Sequence, residues 1–180
     1  MANRSKDKAR IALISTGGTV EKTYDELHGV LTNQVSVLDV MLSRLELRGV
    51  ELERVTLMNK DSLEMDERDH RLIAETALHK AEEADGVVIV HGTDRLSHTG
   101  DVIHAMADPP PVPIVLTGAM RPYELRTTDA MQNLVEALLA VRLANPGVYV
   151  AMHNQLLRFP GVRKDRASRT FVCEGPNGAG

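Results

Sequence analysis

Ile11-Ala12-Leu13-Ile14-Ser15-Thr16-Gly17-Gly18-Thr19 is an apolar run that ends abruptly in two glycines set between threonines. The pattern recurs twice. Val87-Val88-Ile89-Val90 leads into His91-Gly92-Thr93-Asp94, and Ile114-Val115-Leu116 leads into Thr117-Gly118-Ala119-Met120. Short β-branched runs without polar interruption read as strands buried on both faces. In an open parallel α/β sheet, ligands bind beyond the carboxyl ends of such strands. The three clusters are therefore expected to converge on one place. Glycine lets backbone N–H groups approach a ligand closely, and threonine supplies a hydroxyl that can attack or hydrogen-bond it.

Outward from these clusters, strands over 10–15, 51–57, 86–90, 112–116 and 148–152 alternate with helices over 36–47, 66–83, 97–107 and 128–143. Asp66 suits the cap of the second helix, along which Leu72, Ile73, Thr76, Ala77 and Lys80 follow the helical period. In the last helix Met131, Leu134, Val135, Leu138, Leu139 and Leu143 read as the inward face. The stripe Val135, Leu138, Leu139 and Leu143 suits an interface equally well. The polar segment 16–33, with three glycines, reads as an active-site loop, with a mobile lid around 27–30. The alternation predicts an α/β fold: a three-layer αβα sandwich with a mainly parallel sheet in a single domain. The expected organisation is a flexible N-terminus over 1–9, one domain over 10–174 and a flexible tail over 175–180.

Composition narrows the function. The chain of 180 residues is 43% hydrophobic and 26% charged, with a net charge of -4 at pH 7. That balance offers no broad basic face to nucleic acid, and 3% aromatics leave no base-stacking platform. Cys173 is the single cysteine, so no intrachain disulfide forms. No stretch is long and apolar enough to cross a bilayer, and the charged start is a poor match to a secretory leader. A cytoplasmic protein without membrane or nucleic-acid partners is the expectation.

Each candidate site residue has a plain reading beside a chemical one. The Gly17-Gly18 turn lacks the G-x-G-x-x-G spacing of a dinucleotide loop and the Gly-Lys-Ser/Thr of a phosphate loop. His91 invites a metal, but the other histidines are scattered and none forms a ligand pair with a nearby carboxylate. It reads as a hydrogen-bonding residue behind the turn, and no metal is expected. Asp94 is either a helix cap or an acceptor for a substrate ammonium or a lysine. Ser62 is either a polar turn or a hydroxyl that holds a carboxylate. Lys164, in the basic run 158–166, is either solvated or desolvated among threonines and an aspartate, where it can act as a base.

Taken together, these strings resemble the L-asparaginase family of amidohydrolases. The matching segments are Ile14–Thr19, Val90–Asp94 and Leu116–Pro122. Asp61-Ser62-Leu63-Glu64-Met65, Thr128-Asp129-Ala130 with Asn133, and Val162-Arg163-Lys164 support them in the family's order. The resemblance implies asparagine catabolism: hydrolysis of L-asparagine to L-aspartate and ammonia, without a cofactor. It implies Thr19 as threonine nucleophile, assisted by Tyr24, the only tyrosine of the 16–33 loop. It implies Thr93 as second catalytic threonine, with Asp94 and Lys164 beside it. Ser62 and Asp94 would grip the α-carboxylate and α-amino groups, and the Ala119 carbonyl would face the side-chain amide. Gly18, Gly92 and Thr93 would line the pocket and offer N–H groups to the oxyanion, while Thr16 is structural. A homodimer or homotetramer is implied.

Three departures qualify the resemblance. The chain ends where most members begin a second domain, which points to a short-chain branch with the catalytic domain only. Arg95 stands where the family often has threonine, and Leu63 where members active on glutamine have glutamine. The first two motivate a rival reading as a non-catalytic asparagine or aspartate sensor. The third bears on glutamine or another small amide as alternative substrates.

Overall fold

The computed structural model describes residues 8–21, 23–25, 30–32 and 37–174, with the backbone alone at 21, 23–25 and 30–32. Five parallel strands form the sheet: β1 (Ala9–Gly17), β4 (Val50–Lys60), β5 (Gly86–Val90), β6 (Pro113–Thr117) and β7 (Gly147–Met152). The spatial order is β4-β1-β5-β6-β7, with β8 (Gln155–Arg158) added antiparallel at the β7 edge. β5 thus lies across β1 from β4, so the chain moves outward from β1 to β4 and then crosses back past β1 to β5. A crevice opens at that reversal, between the carboxyl ends of β1 and β5.

Period-2 alternation divides each strand between two cores. Ala12, Ile14, Val87, Ile89, Ile114, Leu116, Val148 and Val150 face one side. They pack beneath α2 (Glu67–Ala81) and α3 (Leu96–Met106). Ile11, Leu13, Val88, Val90, Val115, Tyr149 and Ala151 face the other, under α1 (Leu38–Ser43) and α4 (Ala130–Leu143). The three-layer αβα sandwich with a mainly parallel sheet is the observed architecture, in one domain. Asp66 caps α2 in a reciprocal capping box with Asp69, as its position in the sequence suggested.

Several elements depart from the sequence reading. The segment 16–33 is not loop throughout. β1 runs on to Gly17, a 3-10 turn covers Thr19–Glu21, and β2 (Thr23–Asp25) pairs antiparallel with β3 (Val30–Thr32). The lid expected around 27–30 falls largely outside the described residues. The first helix is half its expected length, because the Ser43 hydroxyl bonds back to the Val40 carbonyl and the chain turns away. The inward face of α4 is Ala130, Asn133, Leu134, Ala137, Leu138 and Val141. Val135, Leu139 and Leu143 are exposed and Met131 is only half-buried. This helix is apolar nearly all round, so hydropathy alone did not fix its orientation. On α2 the buried face is His70, Ile73, Ala74, Ala77 and Ala81, which leaves Leu72 outside.

β7 is also not the last strand. After the β7–β8 hairpin, β9 (Val162–Asp165) and β10 (Thr170–Cys173) form a separate antiparallel pair. Four-residue strands, the first of them mostly charged, carry too little hydrophobic alternation to announce themselves. Phe159 and Phe171, both nearly fully buried, anchor this hairpin on the α2/α3 side of the sheet.

Phe159 explains Gly100 in the middle of α3, where glycine is a poor helix former. The Cζ end of the Phe159 ring lies against Gly100, and an added Cβ would come within 2.0 Å of Cζ. Gly100→Ala is expected to destabilise the fold by about 1–3 kcal/mol despite its gain in helix propensity, as overpacking of a filled core does. Urea unfolding of the two proteins measures the difference, and an equal or higher midpoint for the variant contradicts the packing.

Candidate active site

The clusters meet through their glycines. Gly18 has φ +86°, and a Cβ there would lie 2.6 Å from both N and Cα of Gly92. Any larger residue would push the β1 and β5 ends apart. A Cβ on Gly92 would lie 2.6 Å from Ser62 Oγ, and one on Gly118 would strike the His91 carbonyl and approach Thr93 Cγ2 to 3.2 Å. Residues 18, 62, 92, 93 and 118 therefore pack into one wall. Ser62 and Thr93 are almost completely buried there, and Ala119 is fully buried. Thr19, half-buried, follows Gly18 directly at the start of the 3-10 turn.

Lys164 reaches the same place from β9. Its Nζ donates to Thr93 Oγ1 at 2.8 Å and to Asp94 Oδ1 at 2.9 Å. Asp94 also has Arg166 Nη2 at 3.8 Å. Arg95, exposed, is the residue at the α3 cap position, and no side chain caps that helix. The cap reading of Asp94 thus gives way to the lysine-partner reading. Leu63 is 60% exposed beside buried Ser62. Asp61 holds this turn by accepting from the Leu63 N–H at 3.0 Å. The backbone of Tyr24 lies in β2, and its side chain lies outside the described residues.

The remaining hydroxyls of the clusters are structural. Thr16 Oγ1 donates to the Val90 carbonyl at 3.1 Å, and Thr117 Oγ1 to the Ala151 carbonyl at 2.8 Å. Each ties one strand end to its neighbour. The Gly18 N–H donates to the Lys60 carbonyl at 3.1 Å, so it is not available to an oxyanion, contrary to the sequence expectation. The reason is the register of β1 on β4, in which Gly17 lies opposite Lys60.

Behind the turn, His91 is fully buried. Its Nδ1 lies 2.8 Å from the Gly92 carbonyl, and its Nε2 lies 2.8 Å from Thr99 Oγ1. A carbonyl only accepts, so Nδ1 carries the proton and Nε2 accepts from the Thr99 hydroxyl. Thr99 Oγ1 then accepts from His70 Nδ1 at 2.7 Å. Both ring nitrogens of His91 are thereby taken by protein groups, which supports the hydrogen-bonding reading. Burial pushes His91 down to about 4, only partly opposed by its bond to Gly92, and burial together with nearby His98 lowers His70.

Two polar residues to which the sequence reading gave no role organise the third cluster. Asp129 accepts from the N–H groups of Met120 and Arg121 at 3.0 and 2.9 Å, and from His153 Nε2 at 2.7 Å. Burial acts to raise this carboxyl, but the Met120, His153 and Arg121 hydrogen bonds together hold it below the usual range. Asn133 Nδ2 donates to the Gly118 carbonyl at 2.9 Å. A buried amide on an otherwise apolar helix face was the available signal for Asn133.

Comparison with known proteins accounts for this arrangement. A family model described as "Asparaginase, N-terminal" matches residues 10–178. The chain belongs to the asparaginase family. It is 32% identical over 149 residues to an L-asparaginase of Thermococcus kodakarensis, a match covering 82% of this chain and 45% of that protein. It is 33% identical over 172 residues to one of the subunits of the glutamyl-tRNA(Gln) amidotransferase of Haloquadratum walsbyi, covering 88% of this chain and 38% of that one. The solved structure of the thermostable L-asparaginase from T. kodakarensis superposes with a TM-score of 0.82 at 30% identity, over 91% of this chain and 51% of the other. The chain thus spans less than half the length of these curated relatives. No described helix is long and apolar enough to cross a membrane.

Buried neutral histidine has a consequence for acid stability. The folded value of His91 lies below the ordinary 6.5, so below pH 6.5 the unfolded chain binds a proton that the folded chain refuses. Asp129, lowered by folding, adds stability that is lost at still lower pH. Stability is expected to fall as pH drops from 6.5 towards 4, by up to about 3 kcal/mol from His91 alone. Denaturant titrations across that range on wild type and His91→Gln check this. The variant should show the shallower dependence, and parallel curves would remove His91 as the source.

Proposed function

We infer that this domain is an amidohydrolase that cleaves L-asparagine to L-aspartate and ammonia through a threonine nucleophile. The observation that carries the reading is Lys164 Nζ bridging Thr93 Oγ1 and Asp94 Oδ1 at 2.8 and 2.9 Å, in the wall where Gly18 lies against Gly92, Gly92 against the Ser62 side chain and Gly118 against the His91 carbonyl. A hydroxyl within hydrogen-bond reach of an amine, at the switch point of a parallel sheet, is the constellation that covalent amide hydrolysis requires.

In this reading Thr19 Oγ attacks the side-chain amide carbon of asparagine, with Tyr24 as the group that takes its proton. The C–N bond breaks, the leaving nitrogen gains a proton, and ammonia departs from a β-aspartyl ester on Thr19. Water held at Thr93 then attacks the ester, its proton passing through Thr93 Oγ1 towards Lys164. The ester C–O bond breaks and Thr19 recovers its proton. Asp94 receives the substrate ammonium, Ser62 the α-carboxylate, and Ala119 supplies its carbonyl to the amide. Among the described residues, the Gly92 and Thr93 N–H groups donate to no other residue and lie in the wall. They are the oxyanion donors of this reading, worth roughly 3 kcal/mol each in comparable sites.

A second reading rests on the similarity to part of an amidotransferase named for glutamyl-tRNA(Gln). Here the same residues would release ammonia for a partner rather than into solution. Leu63, whose exposed side chain has no hydrogen-bonding atoms, favours asparagine over glutamine as the free amino-acid substrate. The assembly proposed for either reading is a homodimer or homotetramer, and neither reading invokes a cofactor.

Ammonia release separates the possibilities. Wild type should release ammonia from asparagine faster than from glutamine, and Thr19→Ala should not. Absence of release from both amides leaves the sensor reading in place. Thr93→Ala and Lys164→Met are each expected to lower kcat by about 100-fold or more with an unchanged melting temperature, as loss of acid–base catalysis does. Asp94→Ala should act chiefly by raising KM for asparagine. Retained turnover in Lys164→Met would exclude the proton route through β9. In denaturing mass spectrometry of quenched reactions, the acyl label belongs on Thr19, and label on Thr93 alone would reverse the two threonines.

A further inference from the structure

We propose that His153 is a positioning residue that locks the β9–β10 hairpin, and with it Lys164, to the turn carrying Ala119. The proposal rests on the hydrolase reading above for its consequence but not for its geometry. His153 Nε2 lies 2.7 Å from Asp129 Oδ2, and its Nδ1 lies 2.8 Å from Thr170 Oγ1. A carboxylate accepts, so Nε2 carries the proton and Nδ1 of the neutral ring accepts from the Thr170 hydroxyl. The His153 N–H donates to Asn133 Oδ1 at 3.1 Å. One residue therefore joins three elements: β10 through Thr170, the 118–121 turn through Asp129, and α4 through Asn133.

The connection leads to both halves of the site. Asp129 fixes the Met120 and Arg121 amides, and Asn133 fixes the Gly118 carbonyl, so the Ala119 backbone is held from both sides. Thr170 pairs with Asp165 across the hairpin, and Phe171 pairs with Lys164. Thr170 is thus one register position from the lysine. Apart from Phe171 and Val162, the hairpin residues are half-buried or exposed, so apolar burial holds it at few points. A hydrogen-bonded strut from the sheet edge supplies the missing constraint.

The backbone supplies an independent reason to assign His153 a purpose. His153 and Asn154 form the two-residue turn between Met152 and Gln155, with φ values of +54° and +61°. Such turns favour Asn-Gly, because both central residues take a conformation that most other side chains resist. That preference puts asparagine first, and this chain carries histidine there, a residue that also tolerates a positive φ. Imidazole, with nitrogens at opposite ends of a rigid ring, spans the distance between a carboxylate and a hydroxyl that Asn is too short to bridge.

The test uses His153→Asn in the whole chain. Asparagine tolerates the positive φ, so the turn is kept or improved while the strut is removed. The variant is expected to melt at the wild-type temperature or above it. Its kcat for ammonia release should fall about tenfold with KM changed less than threefold, as a slight misplacement of a catalytic group does. Amide exchange should quicken in both 118–121 and 162–173. Thr170→Val should reproduce these effects, and Thr170→Ser should restore wild-type values. A folded His153→Asn with wild-type kcat and wild-type exchange in both segments overturns the proposal. Should wild type itself release no ammonia, the functional reading falls. Exchange then decides the strut alone: joint acceleration in the two segments supports it, and unchanged exchange refutes it.

Discussion

Everything at the carboxyl edge of the sheet depends on the backbone of Gly18 lying against the backbone of Gly92. The contact is possible because neither residue has a side chain and because Gly18 takes a conformation that few other residues accept. It occurs where the chain reverses its direction of travel across the sheet, between β1 and β5. Close backbone approaches flank it on both sides, Gly17 against Lys60 and Gly118 against the His91 carbonyl. At the contact itself two loops touch directly, and the residues next in sequence, Thr19 and Thr93, flank it. A parallel sheet creates the crevice as a matter of topology, and the paired glycines bring its two sides together.

Once that contact exists, the site needs rigid walls that the apolar core does not supply. Hydrogen bonds from buried polar side chains take over this task. Thr16 and Thr117 bind strand ends to each other, His91 and Thr99 brace the second cluster from behind, and Asp129 with Asn133 brace the third. Behind the second cluster, the chemistry of the partners leaves His91 and Thr99 a single arrangement of protons. The Gly92 carbonyl sets the tautomer of His91, which sets the direction of the Thr99 hydroxyl. Networks of this kind contribute little net stability but specify geometry, because any misalignment leaves a polar atom unpaired in a dry interior. They also tie the fold to pH, since a histidine buried without charge resists protonation only at the expense of acid stability.

The hairpin that delivers Lys164 is of a different kind. β9 and β10 stand outside the main sheet and are held by Phe159, Phe171 and the polar links from Thr170 and Lys164. A site half on the rigid sheet and half on an added hairpin can be tuned at the joint. The hydrogen bonds of Lys164 to Thr93 and Asp94 and the bridge through His153 are polar joints between the hairpin and the rest of the site.

The amino-acid sequence by itself determined the layered αβα architecture, since unbroken β-branched runs alternating with capped amphipathic segments admit few other arrangements. It also marked Thr19, Ser62, Thr93, Asp94 and Lys164, because hydroxyls, glycines and a lysine at strand ends have recognisable local order. Only the tertiary structure decided which hydroxyls are free to face a pocket. The partners of Thr16 and Thr117 lie on neighbouring strands, 74 and 34 residues away in the chain. It decided the orientation of α4, whose apolar residues surround the helix, and it committed the Gly18 N–H to Lys60 through strand register. The roles of Asp129, Asn133 and His153 emerged only there as well. A hydrogen-bond network is defined by atoms within about 3 Å of each other, and proximity between residues far apart in a chain is a property that local sequence pattern does not encode.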